Sequence, residues 1–293
     1  MNMEFDMTSE WKWDVPFDRE KPILFPKDCK LLMPDREHYA EVYALTSDLT
    51  EEEKKNPYAK YYYMGQVMPL EEDLIAVEYD KPMDPAKAFL IEDYAANMDV
   101  PGCCPTRTGY CVLPSGIGFA TATVTGKGIN AEIMSHFIEH FNPPGDMYYK
   151  VWCPGAHLRH YANCAIEDVG TGFSLIQFTE GMTPEKVGLN VGSGDKYCIG
   201  LTGANTFCHP LHQPDAEPMY VTELCYYRLM EDAFEERVTF WIGAEFKDGK
   251  TVPRLHHGKP ANPMFAQALA RHSLWETATL FRNILEFWKD SKN

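Results

Sequence analysis

The chain has 293 residues, 45% of them hydrophobic and 13% aromatic, enough to bury a sizeable core. Its net charge of −16, with a pI near 5.0 and no Lys/Arg cluster, argues against nucleic acid and anionic membrane surfaces as partners. No apolar run approaches the roughly 18 residues that a bilayer-spanning helix needs.

Taken in order, Met1-Asn-Met-Glu-Phe-Asp-Met is acidic and lacks the basic start and apolar core of a signal peptide. The nine cysteines (Cys29, Cys103, Cys104, Cys111, Cys153, Cys164, Cys198, Cys208 and Cys225) are odd in number and spread along a large chain. They read as reduced thiols, which implies a cytoplasmic protein. Residues 1–56 are rich in Pro, Trp and acidic side chains, with a short helical piece at 38–45 and a capped helix start in Asp48-Leu-Thr-Glu-Glu-Glu-Lys-Lys. Residues 58–69, including Tyr61-Tyr62-Tyr63, are suited to wrapping onto a core or lining a pocket, and wrapping is the expected role. Residues 82–105 are loop-rich. The spacing of Cys103, Cys104 and Cys111 fits no standard zinc box, so these read as small buried residues. A composition change near residue 110 separates an irregular, partly helical portion (1–109) from a regular domain (110–293).

Strand signals then become dense. Gly118-Phe-Ala-Thr-Ala-Thr-Val124 has the small and β-branched residues of a strand. Asn130 caps a helix over 131–141 with Met134, Phe137, Ile138 and Phe141 on one apolar face; His136 and His140 lie on a neighbouring arc, facing a cavity or water. Asn142-Pro-Pro-Gly ends that helix, and Tyr148-Tyr149-Lys150-Val151-Trp152 reads as a strand closed by Cys153-Pro-Gly-Ala-His157. Residues 164–169 and 173–178, joined through Gly170-Thr-Gly172, form a hairpin. Further strands lie at 197–202, 219–230 and 236–246. Last, Asn262-Pro263 opens a helix running to about Trp288, with Phe265, Leu269, Leu280 and Ile284 at helical spacing. His272 and Glu276, four apart, continue the line of Phe265 and Leu269. An imidazole and a carboxylate on an inward stripe need a partner: either the pair sits solvated at the stripe's edge, or it meets a cation. The elements sum to an α+β fold in which a curved antiparallel sheet grips a long C-terminal helix, leaving a cavity between them for a small apolar ligand.

The His136-bearing helix, Tyr149-Lys-Val-Trp-x-Pro-x-x-His157, Ile166-Glu167-Asp-Val-Gly, Phe240-Trp-Ile-Gly243 and His272-x-x-x-Glu276 appear in that order. Together they resemble the family of 2,4-diacetylphloroglucinol hydrolases and phloretin hydrolases, over about residues 110–285. The resemblance implies a helix-grip (START-like) domain behind an irregular N-terminal extension. It also implies Zn²⁺ or another divalent metal, and hydrolysis of the carbon–carbon bond between a phloroglucinol ring and its acyl group. Carried over by position, the implied ligands are His136, Glu167, His272 and Glu276. The family's first histidine precedes its glutamate by about thirty residues; His136 precedes Glu167 by 31, and His157, at ten, is the weaker candidate. His212 then matches a proton-shuttling histidine and Tyr227 a tyrosine near it. Glu139, a candidate catalytic residue, stands three residues after the first ligand where the family has Asn, and Gly128 where it has a substrate-contacting tyrosine, so substrate contacts differ. The roles of His140, His157, His160 and His209 are open.

The implied reaction is chemically coherent. An aryl carbanion cannot leave, but a phloroglucinol ring tautomerises to a keto form and makes the substrate a β-diketone. Metal-activated water can then attack the acyl carbonyl while the ring leaves as an enolate, provided a base and a ring-carbon proton donor are at hand. Expected partners are a small aromatic ketone and a second copy in a homodimer. The alternatives are a metal-dependent decarboxylase or cyclase of polyketide-like aromatics, and a non-enzymatic carrier of small hydrophobic ligands.

Overall fold

The computed structural model describes residues 46–98, 106–161, 164–169, 173–191, 198–210 and 219–292. Three short helices come first: α1 (Ala59–Tyr63), α2 (Glu71–Ala76) and α3 (Tyr94–Met98). Strands β1 (Gly109–Val112) and β2 (Gly118–Lys127) lead to helices α4 (Ala131–His140) and α5 (Met147–Trp152). Then come β3 (His157–Tyr161), β4 (Cys164–Asp168), β5 (Phe173–Gly181), β6 (Cys198–Pro210), β7 (Met219–Met230) and β8 (Ala233–Ile242). A small hairpin of β9 (Ala244–Lys247) and β10 (Lys250–Pro253) precedes the long helix α6 (Pro263–Asp290).

The first eight strands make one antiparallel sheet in the order β1-β2-β8-β7-β6-β5-β4-β3. Helix α6, of 28 residues and about 42 Å long at 1.5 Å per residue, lies along its concave face. It packs on β1, β2 and β8 at one side, while His272 and Glu276 reach His157 and Glu167 on β3 and β4 at the other. A sheet whose two margins both reach one helix must curl, and the α+β fold is a half-barrel of helix-grip type. Among the described residues no helix is long and apolar enough to cross a membrane.

Strand alternation gives each face of the sheet its own core. On the concave side Ala120, Ala122, Val221, Val238 and Phe240 meet Phe265, Leu269, Ala270 and Leu274 of α6. The convex side carries Phe119, Leu224, Tyr226 and Trp241, covered by Phe89, Ile91, Tyr94 and Met98. Trp241 donates its indole N–H to the carbonyl of Phe89 at 2.8 Å, so even this apolar cluster leaves no indole donor stranded. A third cluster joins Leu49, Ala59 and Tyr61 to Phe137, Phe141, Phe281 and Ile284. Leu49, Val77 and Phe89 thus pack into the same clusters as the sheet and α6, and Tyr61, only 2% exposed, wraps onto the core as expected, whereas Tyr63, Met64 and Met68 of the same stretch are exposed.

Most expected elements are present, with informative differences. Asn262 caps α6 by accepting from the amide of Met264, and Asn130 caps α4 by accepting from Ile133. Thr50 and Glu53 exchange the two bonds of a capping box, but the box opens a single 3₁₀ turn rather than a longer helix. On α4 the buried face is Ile133 and Phe137, with Ile138 exposed. The expected strand at 236–246 divides at Gly243, whose φ of 77° turns β8 into β9. The helical piece at 38–45 and the turn at 170–172 lie outside the described residues.

The segment 148–152 is a helix, not a strand. A strand would send Lys150 to the face opposite Tyr149 and Val151, whereas the helix buries all three against different partners. The Lys150 ammonium reaches the Glu53 carboxylate at 3.0 Å and the Asp48 carbonyl at 2.9 Å. Tertiary contacts here override the strand preference of Tyr, Val and Trp.

Asn205 on β6 shows how side chains extend the sheet. Its carboxamide donates to the carbonyl of Phe246 and accepts from that residue's amide, both at 2.9 Å, and also accepts from Thr222 at 2.8 Å. Asn205→Ala leaves these buried groups unpaired. The expected cost is about 2–3 kcal/mol, read as a lower midpoint in urea at unchanged slope.

Candidate metal centre

Two local rules bring the first half of the site together. Cys153-Pro154-Gly155-Ala156 is a type II turn: Pro occupies the second position, Gly155 the third with φ 89°, and the Ala156 amide donates to the Cys153 carbonyl at 3.1 Å. This turn swings the chain from α5 into β3, so that His157 comes back over Tyr149. The antiparallel pairing of β3 with β4 then sets His157 opposite Glu167, and directly opposed residues share a face. The second half is simpler. Helical spacing places His272 and Glu276 one above the other on α6.

The four side chains converge in the groove between helix and sheet, with His157 fully buried and Glu167 and His272 nearly so. His157 Nε2 lies 3.3 Å from His272 Nε2, 3.4 Å from Glu167 Oε2 and 3.2 Å from Glu276 Oε2. His272 Nε2 lies 3.5 Å from Glu167 Oε2 and 3.7 Å from Glu276 Oε2. Tetrahedral ligands about 2.0–2.1 Å from one Zn²⁺ stand roughly 3.3–3.4 Å from each other. The spacings among His157, Glu167 and His272, 3.3–3.5 Å, bracket that value, so these three donors fit a single divalent cation, with Glu276 beside both imidazoles.

The surroundings orient the ligands. His157 Nδ1 donates to the backbone carbonyl of Tyr149 at 3.0 Å, which fixes the tautomer and leaves the Nε2 lone pair facing the centre. The Tyr149 ring stacks on His157 with centroids 3.7 Å apart, and its hydroxyl donates to Glu167 Oε2. Burial, followed by the negative charge of Glu167, pushes the Tyr149 hydroxyl far above its usual pKa, so it stays protonated and keeps an O–H to donate. Burial alone would raise the Glu167 carboxyl, but His272, His157 and the Tyr149 hydrogen bond outweigh it and hold the carboxylate charged. Burial would lower His272, yet Glu167 and Glu276 pull it up to about 9. A cation binding here must displace that proton. His160, in ring contact with Tyr149, is held down to about 4 by burial and by His157, so it is a neutral imidazole beside the centre.

Glu167, His272 and Glu276 are thus brought together as expected, but His136 is not with them. Its ring lies against Phe287 and Trp288, at 5.3 and 5.1 Å between centroids, near the far end of α6. Phe287 is eleven residues beyond Glu276, about 16 Å along the helix. His157 takes the place assigned to His136. Spacing along the chain misleads here, because a hairpin can present two ligands only ten residues apart when their strands pair. Glu139, expected as a catalytic residue, is exposed on the solvent side of α4 next to His140 and away from the centre. Tyr227 does line the concave face, 2.9 Å from the Thr202 hydroxyl, but toward Phe234 rather than among the four ligands. His212 and the side chain of His209 lie outside the described residues. Of the cysteines, Cys111 is buried in the convex core, as a packing residue is.

Sequence reasoning misses Tyr149 as a support because its segment reads as a strand. The signal that could have found it is the Pro-Gly pair shortly before His157, which marks the start of a new strand there. Compared with known proteins, the chain matches no family model and no curated protein.

Two measurements check the assignment. His157→Ala should abolish stoichiometric zinc binding in equilibrium dialysis, whereas His136→Ala should leave it intact. Tyr149→Phe keeps the stacked ring and the backbone acceptor but loses the hydroxyl. It should weaken zinc affinity by about 10–100-fold, the usual effect of removing a support behind a ligand.

Proposed function

We propose that the protein is a metal-dependent hydrolase that cleaves the carbon–carbon bond between a phloroglucinol-type ring and its acyl group, with a phloretin-like or acetylated phloroglucinol as substrate. The observation that carries this reading is the meeting of His157, Glu167 and His272 at ligand spacing, with Glu276 beside both imidazoles, in a groove with apolar walls. It is joined by the ordered motifs through which the sequence resembles that family.

The four residues would hold one divalent ion, which when bound supplies the Lewis acidity to activate water and polarise the acyl carbonyl. The chain's own groups do the rest. Tyr149 fixes Glu167 and His157, so that neither reorganises during turnover. Val221, Phe240, Phe265 and Leu269 face the same groove and exclude bulk water from the bond being broken. In the overall reaction the water oxygen bonds to the acyl carbon and the ring–acyl bond breaks. The electron pair stays on the ring as an enolate, and a proton returns to the ring carbon.

The test is turnover of phloretin and of diacetylphloroglucinol by the purified protein, followed by chromatography. Activity should vanish after chelation and return with zinc, and both His272→Ala and Glu276→Ala should be inactive while their far-UV circular dichroism is unchanged. Full activity in chelated protein, or in the His272→Ala variant, would sink the proposal.

A further inference from the structure

On the concave face, next to the metal centre, β7 presents Glu223, Cys225 and Tyr227 at alternate positions toward α6. Strand pairing extends this polar row sideways. Thr202 on β6 sits opposite Cys225, and Glu236 on β8 sits opposite Tyr227. Glu223 itself is closely backed by β6. Its carbonyl lies so close to Gly203 of β6, where φ is 151°, that a Cβ there would come within 2.2 Å of the oxygen. Glycine at 203 is therefore what lets β6 and β7 pair this closely beside Glu223. Glu236 is almost fully buried and hydrogen-bonds Tyr227 and Thr277, whereas Glu223 is half-buried and open to the groove.

Neither carboxyl has a lysine or arginine partner among the described residues, and His272 lowers Glu223 by less than the neighbouring carboxylates raise it. The charged groups acting on Glu223 are Glu276, Glu167 and His272, and those acting on Glu236 are Glu276 and Glu223. A carboxylate buried without a counter-charge is costly, and the group takes up a proton instead. Burial, then the neighbouring carboxylates, pushes both up to about 8. A divalent cation held at the centre would offset the repulsion from Glu167 and Glu276, and burial, the larger cause, would remain. Glu223 thus offers an O–H donor to the groove rather than a negative charge.

We propose that Glu223 is a substrate-recognition residue, and that the ligand it takes is an oxygen of an electron-rich, hydroxylated ring. This rests on the hydrolase reading above and deepens it. Such a ring gains electron density when its acyl group leaves, and a neutral acid donates to the resulting enolate oxygen where a carboxylate would repel it. Cys225 Sγ, 3.7 Å from Glu223 Oε1, and the Tyr227 hydroxyl continue the polar row beyond it.

The experiment is calorimetric titration of phloroglucinol into zinc-loaded protein, with zinc content measured for each variant. Glu223→Gln keeps the shape and an N–H donor, and should bind within about threefold of the parent. Glu223→Ala should bind about tenfold or more weakly, the effect of one lost hydrogen bond at a buried site. Zinc content should stay at one equivalent in both. Glu223→Met replaces the alanine variant should that one not fold. Binding unchanged in the alanine or methionine variant overturns the inference, as does a glutamine variant as weak as alanine, which would mean that the charge is needed. A fall in zinc content would make Glu223 a metal ligand and also overturn it. His272→Ala separates the two readings. If phloroglucinol binding in that variant still depends on Glu223 while the parent shows no acyl-ring cleavage, recognition stands and the hydrolase reading fails. If the parent cleaves but Glu223→Ala binds normally, the reverse holds.

Discussion

Two imidazole nitrogens 3.3 Å apart, flanked by two carboxylates, form the contact on which the architecture turns. Buried polar groups must be satisfied together or not at all, because a half-satisfied set costs more than an apolar core. The surrounding structure meets this demand in detail. Helix α6 carries Ala266, Ala270, Ser273 and Thr277 at fully buried positions. Their small side chains let the helix axis lie deep in the sheet, so that His272 and Glu276 can reach strands at the opposite margin. A larger residue at any of these positions would lift the helix and separate the two halves of the site.

The concave face is also divided in kind. Toward β2 and β8 it is apolar, with Ala120, Ala122, Val238 and Phe240; along β7 it turns polar through Glu223, Cys225 and Tyr227. A flat ring with an oxygen rim has the same division, an apolar body and a polar edge. One wall of the groove can therefore hold the body by burial while the other reads the edge by hydrogen bonds. Division of labour of this kind gives orientation as well as affinity.

How far the sequence discloses all this depends on the range of the signal. Helix α6 is legible almost to the residue, since its cap, its Pro263 and its apolar stripe are local. The pairing of β4 with β5 is legible from alternation and from the glycines between them. Three of the four converging residues can be identified, His272 and Glu276 by an i, i+4 spacing that already implies a shared face. His136 displaces His157 in such a reading because the partner of His157 lies across a strand pair, and register is not written in spacing. The strand reading of 148–152 compounds the error. Lys150 is buried only because Glu53 and Asp48 reach it from about a hundred residues away, which no local pattern reveals. Glu223 has no sequence signal at all, since an acidic residue in an alternating strand reads as the solvent side.

The position of α6 in the chain has a consequence for how the protein is made. Every strand of the grip is synthesised before the helix it holds, and the centre's donors come from a hairpin and from a helix more than a hundred residues later. Until α6 emerges from the ribosome, the concave face lacks the helix that covers it, and its apolar half is a surface for chaperones or for misassociation. Docking of the helix is a late, non-local step, slow in the way that distant contacts are slow. A cation that binds only after docking holds the helix in place through mass action, by about 2.7 kcal/mol at a hundred times its dissociation constant. In that sense an ion held by the proposed centre would act as a latch on the last move of folding.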